Sequence, residues 1–231
     1  VRKIKSMIPK LYPYKILEDG TLAEWAHEHH ASDLQHRHTS HMLGIYPFRQ
    51  ITVEDTPELA KAAKISLEKK LCPPGNWEDT GWARALMLLY NARLRDGERA
   101  YEHLNSMLNS LLQKNFMIIH PPTRGAGSFD NVYELDGNTG FTTGVSEMLV
   151  QCNHNRIDIL PAIPEEWGSG HISGLIVHGG IRVSIAWEKE KGVEAKLSSK
   201  QNSTCVICYK NREKEIFLEK EKVNVIYWEK E

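Results

Sequence analysis

"DTGWARALMLLYNARLRDGERAYEHLNSMLNSLLQ", Asp79 to Gln113, decides the fold. Trp82, Leu86, Leu89, Tyr90 and Leu94 recur at the three- and four-residue intervals that put side chains on one face of a helix. Asp96-Gly97 interrupts the pattern, and Tyr101, Leu104, Met107, Leu108 and Leu111 restart it at once. Two amphipathic helices joined by so short a turn must lie antiparallel, as an αα-hairpin. Upstream, "TPELAKAAKISLEKKL" (Thr56–Leu71) offers Thr56 as N-cap and Pro57 as first helical residue, and "CPPG" (Cys72–Gly75) stops it. Downstream, "TTGVSEMLVQC" (Thr142–Cys152) predicts a third helix after a "DGNTG" loop.

After about Asn155 the apolar period falls from helical to two. "GLIVHGGIRVSIAWEKEKGVEAKLSS" alternates through Val183, Ile185 and Trp187, with Gly179-Gly180 and Lys191-Gly192 as turns. "TCVICYK", "KEIFLEK" and "VNVIYW" continue the alternation. Strands gathered after helices predict an α+β chain with a separate antiparallel β unit. The boundary is drawn where prolines and glycines accumulate, in "RIDILPAIPEEWGSG", giving residues 1–154 and 155–231. The helical part is too short to close a large toroid by itself, and the chain reads as a C-terminal piece.

Composition narrows the partners. The 231 residues carry 29 basic and 30 acidic side chains, a balance that favours neither a nucleic-acid nor an anionic membrane surface. No apolar run approaches the roughly 20 residues of a membrane span. Four cysteines, Cys72, Cys152, Cys205 and Cys208, make no disulfide framework in a chain of this size. Cys205-x-x-Cys208 lies in a strand-like run without a second pair, so the two read as small buried apolar residues rather than as a redox or zinc site.

Loops hold the unusual chemistry. "HEHHASDLQHRHTSH" supplies His27, His29, His30, His36, His38 and His41; "CPPGNWEDTGW" supplies Asn76, Glu78, Asp79 and Trp82; a third loop supplies His120, Arg124, Glu134, Asp136 and Asn138. His36-x-His38-x-x-His41 has imidazoles enough for zinc, but Arg37 sets a cation among the would-be ligands and no HExxH spacing occurs. The same histidines could brace irregular backbone, or, with asparagine, arginine and tryptophan, grip a sugar. Asp136, in a Leu-Asp-Gly-Asn turn, either points a carboxylate into a cavity or bonds its own backbone; both readings fit the spacing. Asp79 reads as an N-cap, and Glu147 as a residue of a polar helix face.

Taken in order, "GTLAEWAHEH", "HRHTSHMLGIYP", "WEDTGWARALMLLYNARLRDGERAYEHL", "HPPTRGAGSFDNVYELDGNTGFTTGVSEMLVQC" and "ILPAIPEEWGSGHISGLIVHGGIRVSIAW" resemble the C-terminal portion of glycoside hydrolase family 95, the inverting α-L-fucosidases and some α-L-galactosidases. The likeness runs from about Gly20 to Trp187. It implies a partial (α/α)6 toroid followed by a C-terminal antiparallel β-sandwich-like domain, and cleavage of terminal α-linked L-fucose, commonly α-1,2-linked, without metal or other cofactor. The implied partners are a fucosylated oligosaccharide or polysaccharide and the N-terminal remainder of the same polypeptide. Asp136, in the "DGN" motif, is then the carboxylate on the base side. His38 sits at the sugar, His36 and His41 are further candidates beside it, and Trp82 walls the pocket. The general acid is expected upstream of this chain, so neither Glu24 nor Glu78 is given that role. The family's usual "PFQIDGNFG" is "NVYELDGNTG" here, after an insertion-like "TRGAGSFDN", with Glu134 in place of glutamine and Thr139 in place of phenylalanine. A chain that kept the fold as a binding or scaffold piece is the competing expectation.

Overall fold

The computed structural model describes residues 2–27, 33–72, 77–122 and 131–230. Among them are five helices: α1 (Arg2–Met7), α2 (Pro57–Lys70), α3 (Gly81–Arg93), α4 (Gly97–Ser106) and α5 (Leu135–Leu149). None is long and apolar enough to cross a membrane. α3 is the central one. Its Ala83, Met87 and Tyr90 pack against Ala60, Ala63 and Leu67 of α2. Its other side, Ala85, Leu88 and Ala92, packs against Ala100 and Leu104 of α4 and Met148 of α5. Burying each leucine or methionine among them is worth about 1.5–3 kcal/mol, while the alanines let the helices approach closely. The hairpin turn is capped by Asp96, whose Oδ1 accepts from Arg99 N at 3.2 Å. Gly97 leaves no room for a side chain, since a Cβ there would stand 2.8 Å from the carbonyl oxygens of Ala162 and Ile163. α4 runs on into a π turn, Met107–Leu111.

Three local expectations are corrected. "LDGNTG" is the first turns of α5 and not a loop before it, because Gly137, Gly140 and Gly144 serve close helix packing: a Cβ would come within 2.9 Å of the Gly81 carbonyl carbon, 2.8 Å of Ala85 Cβ and 2.5 Å of Leu88 Cγ respectively. The helix also ends sooner than its apolar pattern suggests, and Val150–Asn153 is strand β3. Thr80, not Asp79, caps α3, its Oγ1 accepting from Ala83 N at 3.3 Å. Asp79 forks onto Arg84 with contacts of 3.0 and 2.7 Å. Thr56 sits at the N-cap of α2, but its hydroxyl serves Thr52 and makes no side-chain cap bond.

Two short strands, β1 (Ile119–His120) and β2 (Val132–Tyr133), pair antiparallel ahead of α5. The remaining strands are β4 (Arg156–Ile159), β5 (Ser169–Val177), β6 (Ile181–Glu188), β7 (Gly192–Ser198), β8 (Ser203–Tyr209), β9 (Arg212–Leu218) and β10 (Val223–Glu229). They form two four-stranded sheets, ordered β10-β7-β6-β5 and β3-β4-β8-β9. One pair departs from the antiparallel expectation: β4 runs parallel to β8, Arg156 opposite Val206 through Ile159 opposite Tyr209. The chain builds β5, β6 and β7 of the other sheet between these two strands and so returns in the same direction. Inward residues from both sheets, including Ile157, Ile159, Val183, Ile185, Leu197, Ile207 and Trp228, share one core. Cys205 joins that core, and Cys208 is buried on the other face of β8. Burial drives their thiols up to about 11 and about 12, as expected of inert residues.

The β unit is fastened to the helices. Gln151 Nε2 donates to Ala92 O at 2.7 Å. Arg95 reaches Asp158 at 3.2 Å, and Arg49 donates to Cys152 O. Ala162 and Trp167, from the proline-rich stretch after β4, pack into the α3–α4 cluster. Glu147 does not lie on a polar face: it forms a largely buried pair with Arg93 at 2.6 Å.

Candidate active site

The N-termini of α3 and α5 meet. Glu134, the residue before α5, is only 7% exposed, and its Oε2 accepts from Trp82 N at 2.7 Å. Gly81 makes this approach possible: a Cβ there would collide with that carboxylate oxygen and lie 2.6 Å from Ile118 Cγ2. Asn138 completes the junction. Its Oδ1 accepts from Ile118 N at 3.0 Å while its Nδ2 donates to Ile118 O and Glu134 O at 2.8 and 2.7 Å. Burial pushes the Glu134 carboxyl above its ordinary range, outweighing the Trp82 amide, His120 and Arg37, which favour the anion; Asp136 adds to the rise.

Against this junction stands the histidine loop. His36 and His38 stack with centroids 4.6 Å apart and planes 18° from parallel. His38 meets the Trp82 indole edge-on at 5.3 Å. The three rings therefore form one continuous wall. Glu78 fixes the loop, 2.6 Å from Arg37 Nη1 and 3.2 Å from His36 Nδ1. Thr39 hydroxyl lies 3.1 Å from the buried Tyr90 hydroxyl, and Lys70 Nζ donates to His36 O at 3.1 Å. Burial first, then the charges of His36, Arg37 and Lys70, holds His38 below the ordinary imidazole range. His41 is deeper, and burial together with Lys70 lowers it to about 4. Both imidazoles are thus neutral near pH 7, able to donate from one nitrogen and accept at the other.

His36, His38 and His41 line an open cavity of about 860 Å³, shared with Glu24, Trp25 and Lys70. Trp82 adjoins it through His38. Asp136 is exposed outside its lining, and its Oδ1 accepts from Gly137 N at 3.0 Å. The structure thus joins His36, His38 and Trp82 in one array, with His41 more deeply buried in the same cavity lining. Asp136 lies outside this array, two residues after Glu134. Among the described residues, no three His, Cys, Asp or Glu side chains are arranged to hold a metal ion. His29, His30, Asn76, Arg124 and most of the insertion-like stretch lie outside the described residues.

A model of the glycosyl hydrolase family 95 catalytic domain matches residues 1–149. The chain belongs to glycoside hydrolase family 95. A model of the family 95 C-terminal domain matches residues 151–231. Similar proteins include alpha-L-fucosidase 2 of Arabidopsis thaliana, 35% identical over 222 residues that cover 91% of this chain and 25% of that protein. Probable alpha-fucosidase A of Aspergillus oryzae is 25% identical, covering 82% of this chain and 28% of the relative. Its Aspergillus niger counterpart is 25% identical, over 76% and 23%. The chain thus spans about a quarter of the length of the curated relatives it matches.

Within this family 95 chain, sequence reasoning undervalued Glu134. It was visible only as an acid in place of an amide two residues before Asp136. Its contact with Trp82 N, 52 positions away, has no local signature. Glu78 was likewise seen as a loop carboxylate, without its clamp on Arg37 and His36.

Proposed function

We propose that this chain forms the base-side part of a glycoside hydrolase site that releases terminal α-linked L-fucose, α-1,2-linked in its preferred substrate, with inversion at the anomeric carbon. The single observation behind the reading is the His36–His38–Trp82 ring wall meeting the N-terminus of α5, in a chain whose relatives are named as fucosidases. Flat rings suit the C–H face of a deoxy sugar, and neutral imidazoles suit its hydroxyls. The helices would be the C-terminal part of an (α/α)6 toroid, and the substrate a fucosylated oligosaccharide or polysaccharide.

In such a reaction a water activated on the base side, with the help of a carboxylate, attacks the anomeric carbon as its proton passes to that side. The glycosidic C–O bond breaks, and a general acid delivers a proton to the departing oxygen. Acid and base stand roughly 6.5–9.5 Å apart, leaving room for the water. Asp136 is the base-side carboxylate in this reading, and the acid comes from the remainder of the polypeptide. His38 and Trp82 bind the sugar, and His36 and His41 are further sugar-binding candidates lining the same cavity.

The test is release of fucose from 2′-fucosyllactose by the complete protein that carries this chain, with the first-formed anomer followed by NMR. Prompt β-L-fucose supports the reading, and Asp136→Asn should then lower turnover about 100-fold or more with the fold intact. Near-normal turnover in D136N removes Asp136 from the mechanism. Release of L-galactose instead of L-fucose from matched substrates replaces the sugar, and absence of hydrolysis on both favours a binding-only descendant.

A further inference from the structure

Glu134 is built into this junction in a way that capping does not require. It lies before α5, makes no side-chain cap bond to that helix, and accepts from α3 instead. Trp82 N is one of the amides that α3 leaves unpaired at its start, and Oε2 satisfies it at 2.7 Å. The other oxygen, Oε1, is buried and has no hydrogen-bond partner among the described residues. Two glycines are shaped around this carboxyl: a Cβ on Gly81 would strike Oε2, and one on Gly137 would lie 3.2 Å away. Trp82, whose amide it holds, carries the indole that meets His38 edge-on.

We infer that Glu134 is a positioning residue for the sugar site: its carboxyl clips the start of α3 to the start of α5 and so holds the Trp82 indole against His38, while keeping the turn that bears Asp136 in register with both. This deepens the functional reading above and rests on it for its catalytic consequence. The groups facing the carboxyl are Trp82 N from α3, His120 from β1, Asp136 from α5 and Arg37 from the histidine loop. Neutral, the carboxyl still accepts from Trp82 N and leaves no uncompensated charge around Oε1. Ionised, the carboxyl still accepts from Trp82 N, but it is held beside Asp136 with one oxygen buried and unpaired, so burial opposes the charge and the junction as a whole is destabilised as pH rises.

The experiment compares wild type, Glu134→Ala and Glu134→Gln in the complete protein, reading the His38 titration by histidine-selective NMR without substrate, and KM and kcat for 2′-fucosyllactose across pH. E134A should raise KM about tenfold or more, since small misplacements of positioning groups cost up to about 100-fold. Its kcat should fall less, and the His38 titration should move up toward an ordinary imidazole. E134Q keeps a neutral acceptor, so it should restore KM and remove the rise in KM with increasing pH. A folded E134A with unchanged KM and unchanged His38 titration overturns the inference. Should E134A fail to fold, an E134Q protein with the wild-type pH dependence of KM and of His38 overturns it equally. If wild type releases no fucose, the functional reading fails, and the substrate-free His38 titration still decides the role of Glu134.

Discussion

Gly144→Ala sets two known effects against each other. Gly144 lies inside α5, where alanine would ordinarily stabilise a helix by about 0.8–1 kcal/mol. Its face, however, is pressed on α3: a Cβ would lie 2.5 Å from Leu88 Cγ, with another Leu88 carbon closer still. Leu88 is fully buried and is hemmed in by Ala92, Leu104 and Met148 of the same cluster, so it cannot swing away. Overpacking of this kind costs about 1–3 kcal/mol. The cost outweighs the propensity gain, and the net effect is a destabilisation of about 1 kcal/mol, near a fivefold rise in local opening. Native-state hydrogen exchange of the α3 amides reads that opening directly. Leu88→Ala removes the obstacle, so in that background G144A should stabilise by about 1 kcal/mol, a coupling of about 2 kcal/mol between the two sites. If G144A slows exchange in α3 with Leu88 intact, the close approach of α3 and α5 is wrong.

His41 and His103 stay neutral in the fold, lowered mainly by burial to about 4 and about 3. Between roughly pH 4 and 6.5 the unfolded chain therefore binds one more proton at each, so their contribution to stability is complete above pH 6.5 and is lost as pH falls. Together they contribute a slope of about 2.7 kcal/mol per pH unit near pH 5. His103→Gln, which keeps an acceptor for Arg84, should remove about half of it in a pH series of urea melts, and an unchanged slope would contradict the buried neutral state. Under native conditions a thiol reagent should label the exposed Cys72 and leave the buried Cys205 and Cys208 until unfolding. Native labelling of either strand cysteine, followed by mass spectrometry, would refute the sandwich core.

Much of this was legible in the sequence, and the misses have physical reasons. α3 and α4 announce themselves because their apolar residues recur with the helical period and Asp96-Gly97 stops the pattern. Strands β5 to β10 follow from strict alternation between clear turns. The start of α5 was hidden because glycine has two uses. In Gly137, Gly140 and Gly144 it gives α3 room to approach, and a local reading takes the first two as turn punctuation. The parallel pairing of β4 with β8 has no local cue at all. In the site, the histidine loop and Trp82 were visible as residue types suited to a sugar. Their order in space was not, because it depends on Glu134 and Glu78 reaching across the fold.

The parallel pair also sets the order in which the chain can finish. β4 pairs with β8, which arrives about 50 residues later, a loop whose closure carries an entropy cost of about 3.5 kcal/mol in its length-dependent part. On a ribosome adding about 5–20 residues per second, the β3–β4 hairpin waits about 3–10 s with a bare strand edge. β3 follows α5 without a break, and the other end of α5 carries Asp136. β8 and β9 are therefore the latch on the helix that bears the candidate base. A nascent chain stalled after β7 would carry every residue of the site with its supporting sheet still open, a template for pairing with a neighbouring chain.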